Sequence, residues 1–286
     1  MTGRTVNCGG GLALAIVLVV AGLVPSVGAQ GARAPVGDDA GLWKLWERQN
    51  TPPLAYIELA EAWTEFAAGR PARDPHVPVA HTLAAWNLLK VGRNDEAKAL
   101  LEPYARLEPA DGATVRAARE IARAWLSCLD RKVLMSALEA YRADQVRYPE
   151  QLAQLEQWPK LATVTRPAFQ DRWGVPWNYR IERMRSMPKL DGQRYSLTCR
   201  TLGDKSALED ALALPYAEGI KLRPVQIRSI GGRPPLVALA GVDDQTPPAL
   251  IQIGSVHQGV GIAYVSSSLV ILYDRLHWKI FPAPKP

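Results

Sequence analysis

Apolar residues recur at the intervals of one helix face through the first half of the chain. In TPPLAYIELAEAWTEFAAGR, Leu54, Ile57, Leu59, Ala60, Trp63 and Phe66 form a broad stripe. Pro52 and Pro53 suit a first helical turn, and Gly69 suits the stop. VAHTLAAWNLLKVGR repeats the pattern through Leu83, Trp86, Leu89 and Lys90. Gly92 permits a tight turn, and Asn94 suits the N-cap of a third helix with Ala97, Leu100, Leu101 and Tyr104, ending near Pro109. In DRKVLMSALEAYRADQVRYPEQLAQL, Val133, Leu134, Ala137, Leu138 and Tyr141 share one face. That helix should stop before Pro149, because proline pushes the residue ahead of it out of the helical region. A short helix over 150–157 follows. After residue 205 the period changes. Residues 206–216 read as a short helix. PVQIRSI, PLVALAGV, ALIQIG, GVGIAYV, SLVILYD and HWKIF then read as short strands parted by Gly, Pro and Asp, which suits a small antiparallel sheet or barrel. The expected fold class is α+β.

The start of the chain is different. Arg4 is the only charge ahead of an apolar run at residues 11–24, Pro25 breaks that run, and Val27, Gly28 and Ala29 place small residues where a signal peptidase reads. Residues 1–29 are therefore expected to be a secretory signal cleaved after Ala29, and 30–51 a linker with a short helix. The run is short beside the roughly 20 residues of a spanning helix; an uncleaved anchor is the alternative. Cys8 has no lipobox before it, so no lipid anchor is expected. Export places the protein in the periplasm or cell envelope. There Cys128 and Cys199 have two readings, a disulfide or two buried thiols acting as small apolar residues. Hydrophobic content of 48% and charged content of 22% are those of a globular protein. The net charge of +6 is scattered, with no Lys/Arg block, which fits a basic surface and no nucleic-acid partner. Membrane contact is expected only through an uncleaved N-terminal segment.

Three stretches resemble known families. LLKVGRNDEAKALLEPYARLEPAD is similar to one tetratricopeptide repeat, with Gly92, Ala97, Leu101 and Pro109 in matching places and Tyr104 where the family has a small residue. A single repeat cannot bury its own face, so residues 52–69 and 112–127 are expected to stack on it and make 52–127 a helical domain; a plain helical bundle is the alternative. Residues 128–205 resemble the periplasmic domain of type II secretion pseudopilins, above all the major pseudopilin. The likeness rests on Ala137, Leu138, Tyr141, Tyr148, Pro149, Leu152 and Leu155, then on Asp171, Trp173, Gly174, Pro176, Trp177 and Tyr179 in DRWGVPWNYR. RYSLTCRTLGDKS resembles the family's last strand and closing turn. The resemblance implies an α+β domain whose partners are pseudopilins or other secretion and pilus subunits. The chain also departs from that family. Its apolar run precedes the cleavage point, holds no acidic residue and lies far upstream of the matching helix, so prepilin processing is not expected. The resemblance implies a calcium site in the late loop, but TLGDKS offers one carboxylate where calcium takes about six to eight oxygens, so no cofactor is assigned there. Within a β-rich segment at 206–286, LVALAGVDDQTPPALIQIG is similar to the homology region of the inner-membrane coupling protein of type II secretion, through Leu239, Gly241, Ala249 and Ile251.

DRWGVPWNYR reads as a turn rather than a catalytic loop. Asp171 can cap the turn through nearby backbone. Gly174 can take a positive φ, Pro176 fixes the start of a strand, and Trp173 and Trp177 offer large apolar faces to the preceding helix. His76 and His81 read as loop and helix surface, without metal-ligand spacing. GSVHQGVG lacks the strand–loop–helix setting of a phosphate cradle, and Ser266 to Ser268 read as a turn between strands. No catalytic, cofactor or metal residue is assigned. The expected function is an exported, non-enzymatic assembly component of a type II secretion or type IV pilus-like system that binds proteins. The alternatives are an envelope binding module that reuses the fold, or an envelope hydrolase gathering His257 or His277 with a carboxylate and a hydroxyl.

Overall fold

Helices come first along the chain and strands last, and one long helix touches both. The computed structural model describes residues 39–107, 112–165, 167–183, 193–213, 216–229, 234–241 and 247–284. The expected signal segment and Pro109 lie outside these residues. Four helices open the described chain: α1 (Asp39–Gln49), α2 (Tyr56–Ala68), α3 (His76–Lys90) and α4 (Asn94–Ala105). The hydrogen-bond ladder of α2 begins with Leu59 N–H donating to the Ala55 carbonyl, so Pro52 and Pro53 precede the helix rather than form its first turn. Asn94 is the first residue of α4 and not its cap, because the ladder begins at the Arg93 carbonyl, which accepts from Ala97.

The stripe expected on α3 is only part of its buried surface. Apart from His81 and Lys90, every residue of this helix is buried. A helix apolar on all sides belongs inside a core. Here α2, α4 and α5 pack around it, and Trp278 reaches it from the far end of the chain, its indole N–H donating to Thr82 Oγ1 at 2.7 Å.

The fifth helix, α5 (Ala113–Gln145), has 33 residues and spans about 50 Å. Its buried face runs from Ala117 and Ile121 through Trp125 to Leu134 and Leu138. The boundary drawn at 127/128 therefore falls inside one continuous helix. As expected the helix stops before Pro149, with Val146 in the left-handed region at φ 63°, a conformation that β-branched residues rarely adopt. Two short helices follow, α6 (Leu152–Glu156) and α7 (Leu208–Ala213), each tighter than the ranges read from sequence.

Among the described residues, nine strands make three antiparallel sheets. β1 (Asn178–Arg183) pairs with β2 (Gln193–Thr198), with Asn178 opposite Thr198 and Ile181 opposite Tyr195. β3 (Leu222–Arg228), β4 (Leu236–Gly241) and β5 (Ala249–Gln252) form the second sheet in that order. β6 (Val256–His257), β7 (Val260–Val265), β8 (Leu269–Tyr273) and β9 (Trp278–Pro282) form the third. Successive side chains of a strand point to opposite faces, and β8 uses both. Leu269 and Ile271 join the helical core, while Val270 and Leu272 join a second cluster with Val237, Leu239 and Ile251 of the second sheet. The result is helices, a four-stranded sheet and a three-stranded sheet packed in sequence, in place of the single sheet or barrel expected. The main core runs from Leu42 to Ile280 and draws on all three segments set out from sequence. The fold is mixed α+β. Among the described residues no helix is long and apolar enough to cross a membrane.

Candidate functional site

DRWGVPWNYR folds as a turn built on Asp171. That carboxylate is 5% exposed. Oδ1 accepts the N–H groups of Trp173 at 3.0 Å and Val175 at 2.9 Å. Oδ2 accepts the Cys199 thiol at 3.1 Å and the Thr201 hydroxyl at 3.3 Å. Gly174 takes φ 77°, which a side chain would resist. Neighbouring residues lock the turn to the helices. Arg172 pairs with Asp130 of α5 and, at 3.0 Å, with Glu102 of α4. Burial lowers the Arg172 pKa, but these two carboxylates outweigh it and hold the guanidinium above its ordinary value. Trp173 Nε1 donates to Glu120 of α5 at 3.0 Å, and Trp177 Nε1 to the Ala168 carbonyl at 2.8 Å. Pro176 lies at the exposed edge of the turn, bridging to Gln170.

The remaining motif residues form one neighbourhood at the C-terminal end of α5. Leu138 is fully buried, and Tyr141 stands edge-on to Trp158 at 5.5 Å. Tyr148 donates to Glu139 and accepts from Arg142. Tyr179 donates to the Pro149 carbonyl at 2.6 Å, joining the start of β1 to the proline turn. These residues lie close together in the fold.

Cys128 and Cys199 are both buried and stand as free thiols, with no disulfide between them. Burial pushes Cys128 up to about 12 and Cys199 up to about 11, the latter helped by its bond to Asp171. Both therefore remain protonated and poor nucleophiles at neutral pH.

The histidines are placed differently from expectation. His76 is fully buried rather than on a surface. Its Nε2 lies 3.1 Å from Asp39 Oδ1 and its Nδ1 3.4 Å from Asp74 Oδ1. Asp39 also accepts the hydroxyls of Tyr264 on β7 and of Ser266 and Ser268 in the turn between β7 and β8. The serines bond to the carboxylate and not to the imidazole, so the order of groups is not that of a nucleophile–base pair. His81 is half-buried, its Nδ1 2.7 Å from the Tyr104 hydroxyl. His277 pairs through Nδ1 with Asp274, while its Nε2 is buried without a hydrogen-bond partner among the described residues. Among the described residues no group of three or more His, Cys, Asp or Glu side chains could hold a metal.

What sequence reasoning missed is a groove between α2 and α4. Its volume is about 660 Å³, its floor is apolar through Ala60, Leu88 and Leu100, and Glu61 and Glu65 stand along one wall. Ile57, 44% exposed, lies at one end. Glu96 on the other wall is paired with Arg93, whereas Glu61 and Glu65 have no ion pair among the described residues. They sit one helical turn apart, an arrangement of like charges that weakens a helix by about 0.2–0.5 kcal/mol. The acidic residues were visible in the sequence, but the floor under them draws on α3 and α4 as well as α2 and was not.

Compared with known proteins, the chain matches no family profile, no curated protein and no solved structure.

Proposed function

We propose that this chain is an exported, non-enzymatic protein-binding component that assembles with a type II secretion or type IV pilus-like machine. The observation that carries the binding role is the α2–α4 groove. An apolar floor flanked by Glu61 and Glu65 suits an amphipathic helix whose polar edge is basic. Lys or Arg side chains of such a helix would turn the repulsion between the two carboxylates into attraction. The link to secretion machinery rests on the resemblance of residues 128–205 to pseudopilins, and the occupant proposed is a basic helix of one of that machine's subunits. Helix α5 supports the same reading, because α3, α4 and the Asp171 turn all pack on it.

The test is in-cell photocrosslinking of the full chain from position 57, followed by mass spectrometry. Capture of a pseudopilin or secretin-complex subunit, reduced about tenfold by Glu61→Lys with Glu65→Lys, is the expected result. Capture of unrelated envelope proteins overturns the assignment to the machine, and capture unaffected by the double substitution overturns the groove.

A further inference from the structure

A second concavity lies where α5, the end of the β2 hairpin, the start of β3 and the turns β6–β7 and β8–β9 meet. Its volume is about 610 Å³, within the roughly 300–1,000 Å³ of small-molecule sites. Five separate chain segments build it, so it exists only in the folded protein. Buried Leu202, Leu222, Val260 and Leu276 supply apolar wall. Val256, 59% exposed, and the Tyr273 ring extend that surface to the mouth. Gly219 forms another part of the wall because the His277 ring lies directly behind it; a Cβ there would stand 2.4 Å from Nδ1.

The charges are unevenly engaged. Three cations line the cleft, Lys205, Lys221 and Arg275. Arg275 is anchored by donating to the Thr201 carbonyl. Lys205 and Lys221 have no carboxylate partner among the described residues. The two carboxylates present are already committed. Asp274 accepts the N–H groups of Leu276 at 2.7 Å and His277 at 2.6 Å and faces the His277 ring. Glu120 accepts the Trp173 indole and neighbours Arg119. Next to the cleft, Lys279 is held below its ordinary pKa, first by burial and then by the charge of Lys221. Positive charge has thus accumulated beside an apolar wall, and Glu218, which acts to raise the Lys279 pKa, offsets part of it next to the cleft.

We infer that this cleft binds a small organic anion, a phosphate or carboxylate group carried on an apolar body. Lys205 and Lys221 take the charged group, Arg275 fixes the rim, and the leucine and valine wall takes the body. The site is independent of the groove and of the proposed assembly role.

Phenyl phosphate is the probe, with benzyl alcohol as its neutral counterpart, each titrated into the full chain while backbone amides are followed by heteronuclear NMR. Saturable shifts confined to residues 201–205, 219–222, 256–260 and 273–276 are expected with phenyl phosphate and not with benzyl alcohol, weakening as salt screens the charges. Lys205→Gln with Lys221→Gln should reduce affinity about tenfold, or ~1.4 kcal/mol, while Lys98→Gln, on the exposed face of α4, leaves it unchanged. The dispersion of each variant's spectrum reports that it is folded. Non-saturating shifts, shifts scattered over surface lysines, equal binding of benzyl alcohol, or undiminished binding by the folded double variant each overturn the inference.

Discussion

Asp171 and Asp39 are both nearly buried and both accept several hydrogen bonds, but they collect them over different lengths of chain. Asp171 takes two backbone N–H groups from within four residues and two side chains from the end of β2. Asp39 takes its hydroxyls from 225, 227 and 229 residues away, and lies against His76. The first carboxylate shapes a turn. The second clamps the start of α1 and the start of α3 onto the four-stranded sheet. A local acceptor can be satisfied as soon as its own loop forms, whereas a distant one reports that whole layers have docked.

Three measurements can break or sharpen that contrast. The largest effect is expected for Asp39→Ala, about 3–5 kcal/mol, because one member of a buried pair is removed and its partners stay behind. Urea unfolding followed by tryptophan fluorescence reads it. Asp171→Ala should cost less, about 2–3 kcal/mol, for orphaned backbone N–H groups. Asp171→Asn should recover part of that loss, since an amide oxygen still accepts from Trp173 and Val175. If Asp171→Ala proves the more damaging of the two alanine variants, the distant clamp is not the stronger. The smallest effect lies at alkaline pH. Tyr264, beside Asp39, is raised from 10.0 to about 12, first by burial and then by the Asp39 charge. Cys199, beside Asp171, is raised from 9.0 to about 11. For an acid whose folded pKa is raised, stability is intact below the unfolded value and is lost as pH rises through the folded one. The Asp171 region should therefore begin to weaken near pH 9 and the Asp39 region nearer pH 10. Cys199→Ser and Tyr264→Phe should each flatten their own part of the curve, and coincident onsets in the parent and both variants would remove the distinction.

The same contrast governs what was legible in the sequence. The Asp171 turn, the stop before Pro149 and the apolar face of Leu138 and Tyr141 follow from turn chemistry and periodicity within a few residues. His76 was read as surface because, Asp74 apart, the groups that enclose it, Asp39 and Tyr264 of β7, are far away in the chain. The continuity of α5 was not read because the boundary at 127/128 followed the start of the pseudopilin likeness and the stretches on its two sides were read separately. In the fold Asp130 pairs with Arg172, and Arg131 donates to the Leu197 carbonyl at 2.8 Å. The groove was illegible for a related reason: its acidic wall belongs to α2, and its floor takes Leu88 from α3 and Leu100 from α4. The strands of the third sheet were found, but their layering was not, because β8 is apolar at every position when both of its faces are covered.

The bond from Trp278 to Thr82 joins residues 196 apart. Chains emerge N-terminal end first, and helices form well before they can be covered by distant strands. The side of α3 around Thr82 therefore stays uncovered until β9 has been synthesised and has crossed back over the helices. A chain halted before that strand presents an apolar surface to chaperones and proteases, so quality control can distinguish a finished molecule from an interrupted one by whether a single indole has been seated.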